Sequence, residues 1–502
     1  MVFTSGTFLL FFAVTLAGLA ILPGRTARQV WLLAASYWFY AYAKPSYALL
    51  LAAPTIMGYL CAIRIEEAQD ARVRKLWVTL NIAFNLGLLA YFKYTNFFLE
   101  NVAALSGKQV RTLNIVLPIG ISFYTFKILS YTIDVYRRDI KASRSIWRFS
   151  MFVSYFPELV AGPIVRATIF LPQMRRDLRL RWARFFIGLE IVLLGVTKKL
   201  VIADQLADLV DPVFRSPDHF SSATVISALV AYSIQIYCDF SGYSDIAIGL
   251  SKIIGFDLPE NFNMPYLARS MTDFWRRWHI TLSNWLRDYV FFSLGGIRDR
   301  RNLYRNVILT MLLGGLWHGA SWNFVFWGLL HGLALAVNQG LEAWRRARRR
   351  RPSENPAVKL FNWALTYSFV CFTWIFFRSP SFSVSMVILR KVMFLDPAGV
   401  TWTYWPLFMV LPIVVAGHAI GWLAARQMAV RPGRHVAEPP GWLAPLYREG
   451  HQPFALRPSR AAGIYAFLPF PSLFGAFVMT MWILGVCLFA AANASPFIYF
   501  QF

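Results

Sequence analysis

Apolar runs separated by short charged clusters dominate this chain. They lie at residues 1–22, 30–42, 47–63, 76–92, 115–131, 185–202, 223–255, 307–337, 359–377, 404–425 and 464–492. Most are apolar on every side rather than along one stripe, the pattern of helices that face lipid. Run 223–255 contains Asp239 and Asp245 and is expected to bend or to enter a cavity. Run 307–337 carries Gly314-Gly315, Trp317-His318-Gly319 and a second histidine, His331, and is expected to split into two segments. With about 20 residues needed per crossing, the pattern predicts about 11 spans. No basic stretch precedes the first run, whereas Arg25 and Arg28 follow it. It therefore reads as a first spanning helix ending in the cytoplasm, not as a cleaved signal.

The connections carry further information. Segment 148–184 is apolar but interrupted by Pro157, Gly162 and Pro163, which suits a short re-entrant or interfacial helix pair. Segment 257–305 is dense in Trp and Arg, the texture of amphipathic helices lying in the interface. The basic run 345–351 closes a span and marks a cytoplasmic end. Segment 426–462 is polar, contains Pro432, Pro439 and Pro440, and is expected to be a cytoplasmic loop. No internal repeat or soluble domain is visible. The fold class is thus all-α and polytopic. Residues 1–502 read as one membrane domain, with N-terminal spans at 1–145, a catalytic core at 146–340 and C-terminal spans at 341–502.

Composition agrees. Hydrophobic residues make up 57% of the 502 and charged residues 15%, against about 45–50% and 25% in soluble domains; mean hydropathy is +0.48. Disorder, collagen-like fibres and a disulfide scaffold are excluded. The net charge of +25 reads as Lys and Arg held in cytoplasmic loops against anionic lipid, not as a nucleic-acid surface. Part of that basic surface is available to an anionic cytosolic substrate. Cys61, Cys238, Cys371 and Cys487 form no CxxC pair and read as small buried hydrophobes.

Ionisable groups inside apolar runs are costly and mark function by default. His318 is the sharpest: glycines flank it, allowing close backbone approach and local unwinding, and a neutral imidazole there can accept a proton. Either catalysis or a satisfied core histidine fits. His279 follows Trp275-Arg276-Arg277-Trp278 and precedes a polar face of Thr281, Ser283 and Asn284; on its own, an aromatic-basic interfacial helix explains it. His331 and His418 suit helix-packing hydrogen bonds, and His219, His435 and His451 suit solvated loops. No metal site is expected, because HxxxH and CxxC spacings are missing. Asp239, Ser241, Tyr243, Ser244 and Asp245 read either as a polar break capping two half-helices or as a tunnel wall. Lys198 and Lys199, at the end of a span, read as snorkelling to the interface. No serine-hydrolase elbow is present.

Together these residues resemble a family. Phe274-Trp-Arg-Arg-Trp-His-Ile-Thr-Leu-Ser283, Trp285-Leu-Arg-Asp-Tyr289 and Gly314-Gly-Leu-Trp-His-Gly-Ala320 resemble the membrane-bound O-acyltransferases, and most of all their bacterial alginate O-acetyltransferase branch. Leu117-Pro-Ile-Gly-Ile-Ser-Phe-Tyr124, Phe156-Pro-Glu-Leu-Val-Ala-Gly-Pro163, Tyr237-Cys-Asp-Phe-Ser-Gly-Tyr-Ser-Asp245 and Phe497-Ile-Tyr-Phe-Gln-Phe502 are similar to it as well. The teichoic acid D-alanyl transferases share the general pattern.

The resemblance implies tilted helices, with re-entrant and interfacial ones, around a central tunnel open to both sides of a bacterial inner membrane. It places the signature histidine on His318 and the second polar position on His279. Acetyl-CoA would be the donor substrate, with no permanently bound cofactor, and Arg276, Arg277 and Lys199 would meet its phosphates. Trp275, Trp278, Asn284, Trp317, Asp239, Tyr243 and Ser244 would line the path. His318 would act as general base, and His279 would hydrogen-bond the thioester or orient the acceptor. The product would be an O-acetylated secreted polysaccharide, reached directly or by relay to a periplasmic acetyltransferase in an export complex. D-alanyl transfer, a glycan-precursor transporter and a structural scaffold are the alternatives.

Overall fold

Every regular element among the described residues is helical, and the β-type pairing found there is an isolated bridge between Phe220 and Val400. The computed structural model describes residues 1–108, 110–160, 162–296, 302–349, 351–429, 473–491 and 497–498. Most of the polar segment 426–462, most of the closing motif 497–502, and His435 and His451 lie outside the described residues.

Five helices are long and apolar enough to cross a membrane: Tyr47–Glu67, Ala71–Ser106, Ser222–Ile254, Trp322–Ala347 and Pro356–Arg378. Shorter apolar stretches of helix at Gly6–Ile21, Trp405–Ile420 and Gly475–Phe489 accompany them. Leu9, Leu10, Leu49, Leu360 and Leu488 are among many large apolar side chains left exposed, as a lipid solvent permits. Cys61, Cys238 and Cys371 are buried as expected, but Cys487 is exposed. It sits on a helix with no charged residue, where an outward thiol meets no penalty from apolar surroundings.

Ser222–Ile254 is the central strut. Its 33 residues span about 50 Å and connect two differently charged ends. One end gathers the ion pairs of Lys252, Arg176 and Arg184 on Asp257, and of Arg28 on Asp177. The other holds Ser222, Asp396, Val400 and Lys391 around the start of the helix.

This helix is continuous, which rules out the polar break, one of the two readings of residues 239–245. The physical reason is neutralisation in place. Lys199 bonds Asp204 at 2.7 Å and Asp239 at 2.6 Å, and Lys198 bonds Asp245 at 2.6 Å. Lys199 does not snorkel: it is 2% exposed. The two lysines lie on a π-helical stretch, Thr197–Ala203, that follows Trp182–Val196. The carboxylates therefore need no water, and the backbone stays helical.

Glycines bring the two elements close enough for this. A Cβ on Gly242 would stand 2.7 Å from the Gly195 carbonyl oxygen, and one on Gly249 2.5 Å from that of Gly188. Small residues at such spacing let backbones touch, which is how helices gain contact energy in lipid. The same device joins Leu303–His318 to Trp322–Ala347, where Gly315 meets the Phe324 carbonyl and Gly328 that of Met311. The two-segment reading of run 307–337 is met, with the break at Gly319, Ala320 and Ser321.

Segment 148–184 folds as the short helices Ile146–Ser154, Phe156–Leu159 and Ala167–Gln173. Segment 257–305 contains the short helices Met271–Trp275 and Ile280–Trp285, and Phe274, Trp275, Trp278 and Trp285 are all buried. The tryptophans fill the protein core, and of the two arginines between them Arg276 is exposed.

Candidate active site

The Leu303–His318 helix ends on its histidine. A helix C-terminus leaves carbonyls without partners and a partial negative charge. Ala71–Ser106 supplies both remedies: the Lys93 ammonium donates to the carbonyls of Trp317 and His318, the latter at 3.0 Å, and Tyr94 donates to Leu316 O at 2.9 Å. Lys93 also lies 5.8 Å from the centre of the Trp317 ring. The backbone around His318 is thereby pinned from outside its own helix.

Trp317 is held by stacking. Phe126 lies against Trp285 at 3.9 Å and against Trp317 at 5.2 Å, both nearly parallel, while Trp285 Nε1 donates to Phe126 O at 3.1 Å. Two imidazoles flank this indole. The His318 ring is 4.9 Å from Trp317 and the His279 ring 6.3 Å, and His279 is within Coulombic reach of His318. Trp327 and Phe377 border His318 at 5.1 Å each. His318 is 5% exposed and His279 fully buried.

His279 starts the Ile280–Trp285 helix with a left-handed backbone, φ 41°, a conformation few side chains adopt without support. Asn261 provides it. Its carbonyl accepts from Ile280 N at 2.9 Å, and its Oδ1 accepts from Thr281 N at 3.2 Å and Thr281 Oγ1 at 2.9 Å. His279 Nδ1 lies 3.1 Å from the same oxygen. Burial pushes the His279 imidazole down to about 3, so the ring is neutral.

The other sequence-predicted residues divide. Ser244 reaches the pair through Asn261, whose Nδ2 donates to its Oγ at 3.3 Å. Trp275 donates to His331 Nδ1 at 3.3 Å, and the opposite ring nitrogen bonds Thr373 Oγ1 at 3.0 Å; His331 is a packing residue. So is His418, whose Nδ1 bonds Val414 O at 2.9 Å. His219 is exposed. Trp278 is packed between Phe262, Phe274 and Trp374. The Asn284 carbonyl accepts from Arg166 at 3.2 Å. Asp239 and Tyr243 pack on Phe497 and Ile498, whose backbone N–H donates to Asp239 at 2.9 Å.

Of the three cations assigned to phosphates, Arg276 is exposed, whereas Arg277 is engaged by Asp273 at 2.8 Å. Lys199 is corrected: its amine is spent on two buried carboxylates, so it is structural. Three features escaped the sequence reading. Lys93 stands one residue past the run that was closed at Phe92, and Lys127 and Glu158 form a buried ion pair of 2.5 Å. The cost of charge in an apolar run points to the lysines. Asn261 carries no such signal.

A break flanked by glycine, a histidine at a helix end and a second one beside the same indole can hold a hydroxyl and move its proton. A groove of about 330 Å³ lined by Phe97, Glu100, Asn101, Ser321 and Trp322 lies against the break.

Comparison with known proteins identifies the class. Residues 137–377 match the model of the membrane-bound O-acyltransferase family. Over 391 residues the chain is 42% identical to "Probable alginate O-acetylase AlgI" of Azotobacter vinelandii, covering 77% of this chain and 76% of that protein. It is 36% identical over 395 residues to "Peptidoglycan O-acetyltransferase" of Helicobacter pylori, covering 73% and 74%. It is 27% identical over 283 residues to "Teichoic acid D-alanyltransferase" of Bacillus subtilis, covering 54% and 70%. With such relatives aligned along most of their own length, and both histidines inside the matched region, the chain belongs to the membrane-bound O-acyltransferase family and is an O-acyltransferase.

Proposed function

We propose that this protein transfers acetyl from cytosolic acetyl-CoA to a hydroxyl on the far side of a bacterial inner membrane, for O-acetylation of a secreted polysaccharide of the alginate kind. The observation that carries this is the pair of buried imidazoles, His279 and His318, on one indole next to a helix break. The basic end of the Ser222–Ile254 strut faces the cytoplasm by the positive-inside rule and, with the exposed Arg276, suits the phosphates of coenzyme A. The apolar runs of the sequence make up about 11 crossings around a tunnel that joins the two ends. The groove beside Ser321 and Trp322 then lies on the acceptor side.

The chemistry follows from the residues. The acceptor hydroxyl oxygen attacks the thioester carbonyl carbon while His318 takes the hydroxyl proton. The tetrahedral intermediate collapses, the carbon–sulfur bond breaks, and the leaving thiolate takes the proton from His318. An ester and free coenzyme A result. Exclusion of water by Trp317, Trp327 and Phe377 keeps hydrolysis of the thioester low.

No soluble domain stands out in the sequence to hold a polymer, which favours a relay to a periplasmic acetyltransferase over direct transfer. Purified protein in liposomes, given radiolabelled acetyl-CoA and polymer with and without such a partner, tests the proposal. Label on the polymer only with the partner supports the relay, and label without it supports direct transfer. No label released from acetyl-CoA to any acceptor would refute acetyl transfer, and D-alanyl transfer would be tested next because a D-alanyltransferase is among the relatives.

A further inference from the structure

We infer that Asn261 fixes the proton of His279 on Nδ1, leaving the lone pair on Nε2, so that His279 accepts a hydrogen bond from the acceptor hydroxyl and does not donate one to the thioester. The inference deepens the acyl-transfer reading and rests on it only for the last clause.

One donor at this site has an identity beyond choice. The backbone N–H of Thr281 points at the Asn261 side chain at 3.2 Å, so the atom facing it is the amide oxygen; the reverse orientation would set two donors against each other. Thr281 Oγ1 accepts from Ile164 N at 3.0 Å, which leaves its own hydrogen to be donated to the same Oδ1 at 2.9 Å. The oxygen is therefore an acceptor on both counts. His279 Nδ1, 3.1 Å from it, makes a favourable contact only if it carries a hydrogen. A neutral imidazole has a single N–H, and the burial of His279 keeps the ring neutral. Nε2 is then the basic nitrogen, on the opposite edge of the ring.

The consequence is a division of roles. A neutral His279 with its lone pair on Nε2 has no hydrogen to offer a thioester oxygen on that edge. It can accept from a hydroxyl, and with His318 it brackets the acceptor. Asn261 is a positioning residue: it touches no reacting atom, but it decides which nitrogen is basic.

Solid-state NMR of the full-length protein in lipid, labelled with ¹⁵N-histidine, reads the tautomer directly. The His279 signals are assigned by their loss in His279→Gln. The wild type is expected to show a protonated Nδ1 and an unprotonated Nε2. Asn261→Asp, which keeps an acceptor at that position, should keep the proton on Nδ1. Asn261→Leu should shift population to the Nε2–H form and lower acyl transfer at least about tenfold. A protonated Nε2 with bare Nδ1 in the wild type overturns the inference, as does an unchanged tautomer in Asn261→Leu. If Asn261→Leu does not fold, the wild-type and Asn261→Asp spectra still decide. An Nδ1–H ring combined with undiminished transfer by His279→Gln supports the tautomer assignment and sinks instead the role given to His279.

Discussion

The Lys93 ammonium donates to the carbonyl oxygen of His318 at 3.0 Å, joining the C-terminal half of one long helix to the last residue of another. A hydrogen bond of this kind contributes about 0.5–1.5 kcal/mol, and it satisfies a carbonyl at the helix end where the histidine sits. Lys93→Met should therefore lower kcat about tenfold or more in protein that still inserts and purifies. Lys93→Arg should recover part of the loss. Wild-type turnover in Lys93→Met, measured with the same donor and acceptor, would show that the capping contact does not position His318.

The glycine crossing predicts a stability pattern. Gly242→Ala and Gly249→Ala place a methyl carbon 2.7 and 2.5 Å from a backbone oxygen of the facing helix. Backbone cannot yield as a side chain does, so each should cost about 1–3 kcal/mol. Gly87→Ala meets nothing within 4 Å and should be neutral or slightly stabilising, because alanine is the better helix former. Thermal unfolding of the three variants in detergent, followed by size-exclusion fluorescence, reads the order.

The buried triad of Lys199, Asp204 and Asp239 predicts an asymmetry. Lys199→Met leaves two carboxylates without their cation and should destabilise by about 3–5 kcal/mol. Asp239→Asn retains an oxygen for the Ile498 N–H and leaves Lys199 paired with Asp204, so its cost should be smaller. Equal melting temperatures for the two would mean that the triad does not act as a charge-neutralising unit.

Part of the helix layout is written in the apolar runs: 47–63 and 359–377 end within a few residues of Tyr47–Glu67 and Pro356–Arg378, whereas Ala71–Ser106 and Trp322–Ala347 run well past theirs. The helix break after His318 is legible because Gly314, Gly315 and Gly319 bracket the histidine. What periodicity conceals is pairing across the chain. Asp239 and Asp245 suggest a bend until Lys199 and Lys198 are seen to neutralise them from another helix. Trp275 and Trp278 look interfacial because a basic pair separates them, yet their rings lie in the core. Phe382–Phe394 goes unread because its apolar stretch is short. At the candidate site the two histidines stand out in the sequence, whereas Asn261 and Lys93 act through contacts that no local pattern announces.

The account depends most on His318 as the proton acceptor. The direct measurement is single-turnover transfer of radiolabelled acetyl from coenzyme A to the acceptor by wild type and His318→Ala at matched protein level in liposomes. General-base loss should slow transfer by about 10²–10⁴-fold, with the melting temperature little changed. Transfer by His318→Ala within a factor of about two of wild type would contradict the assignment.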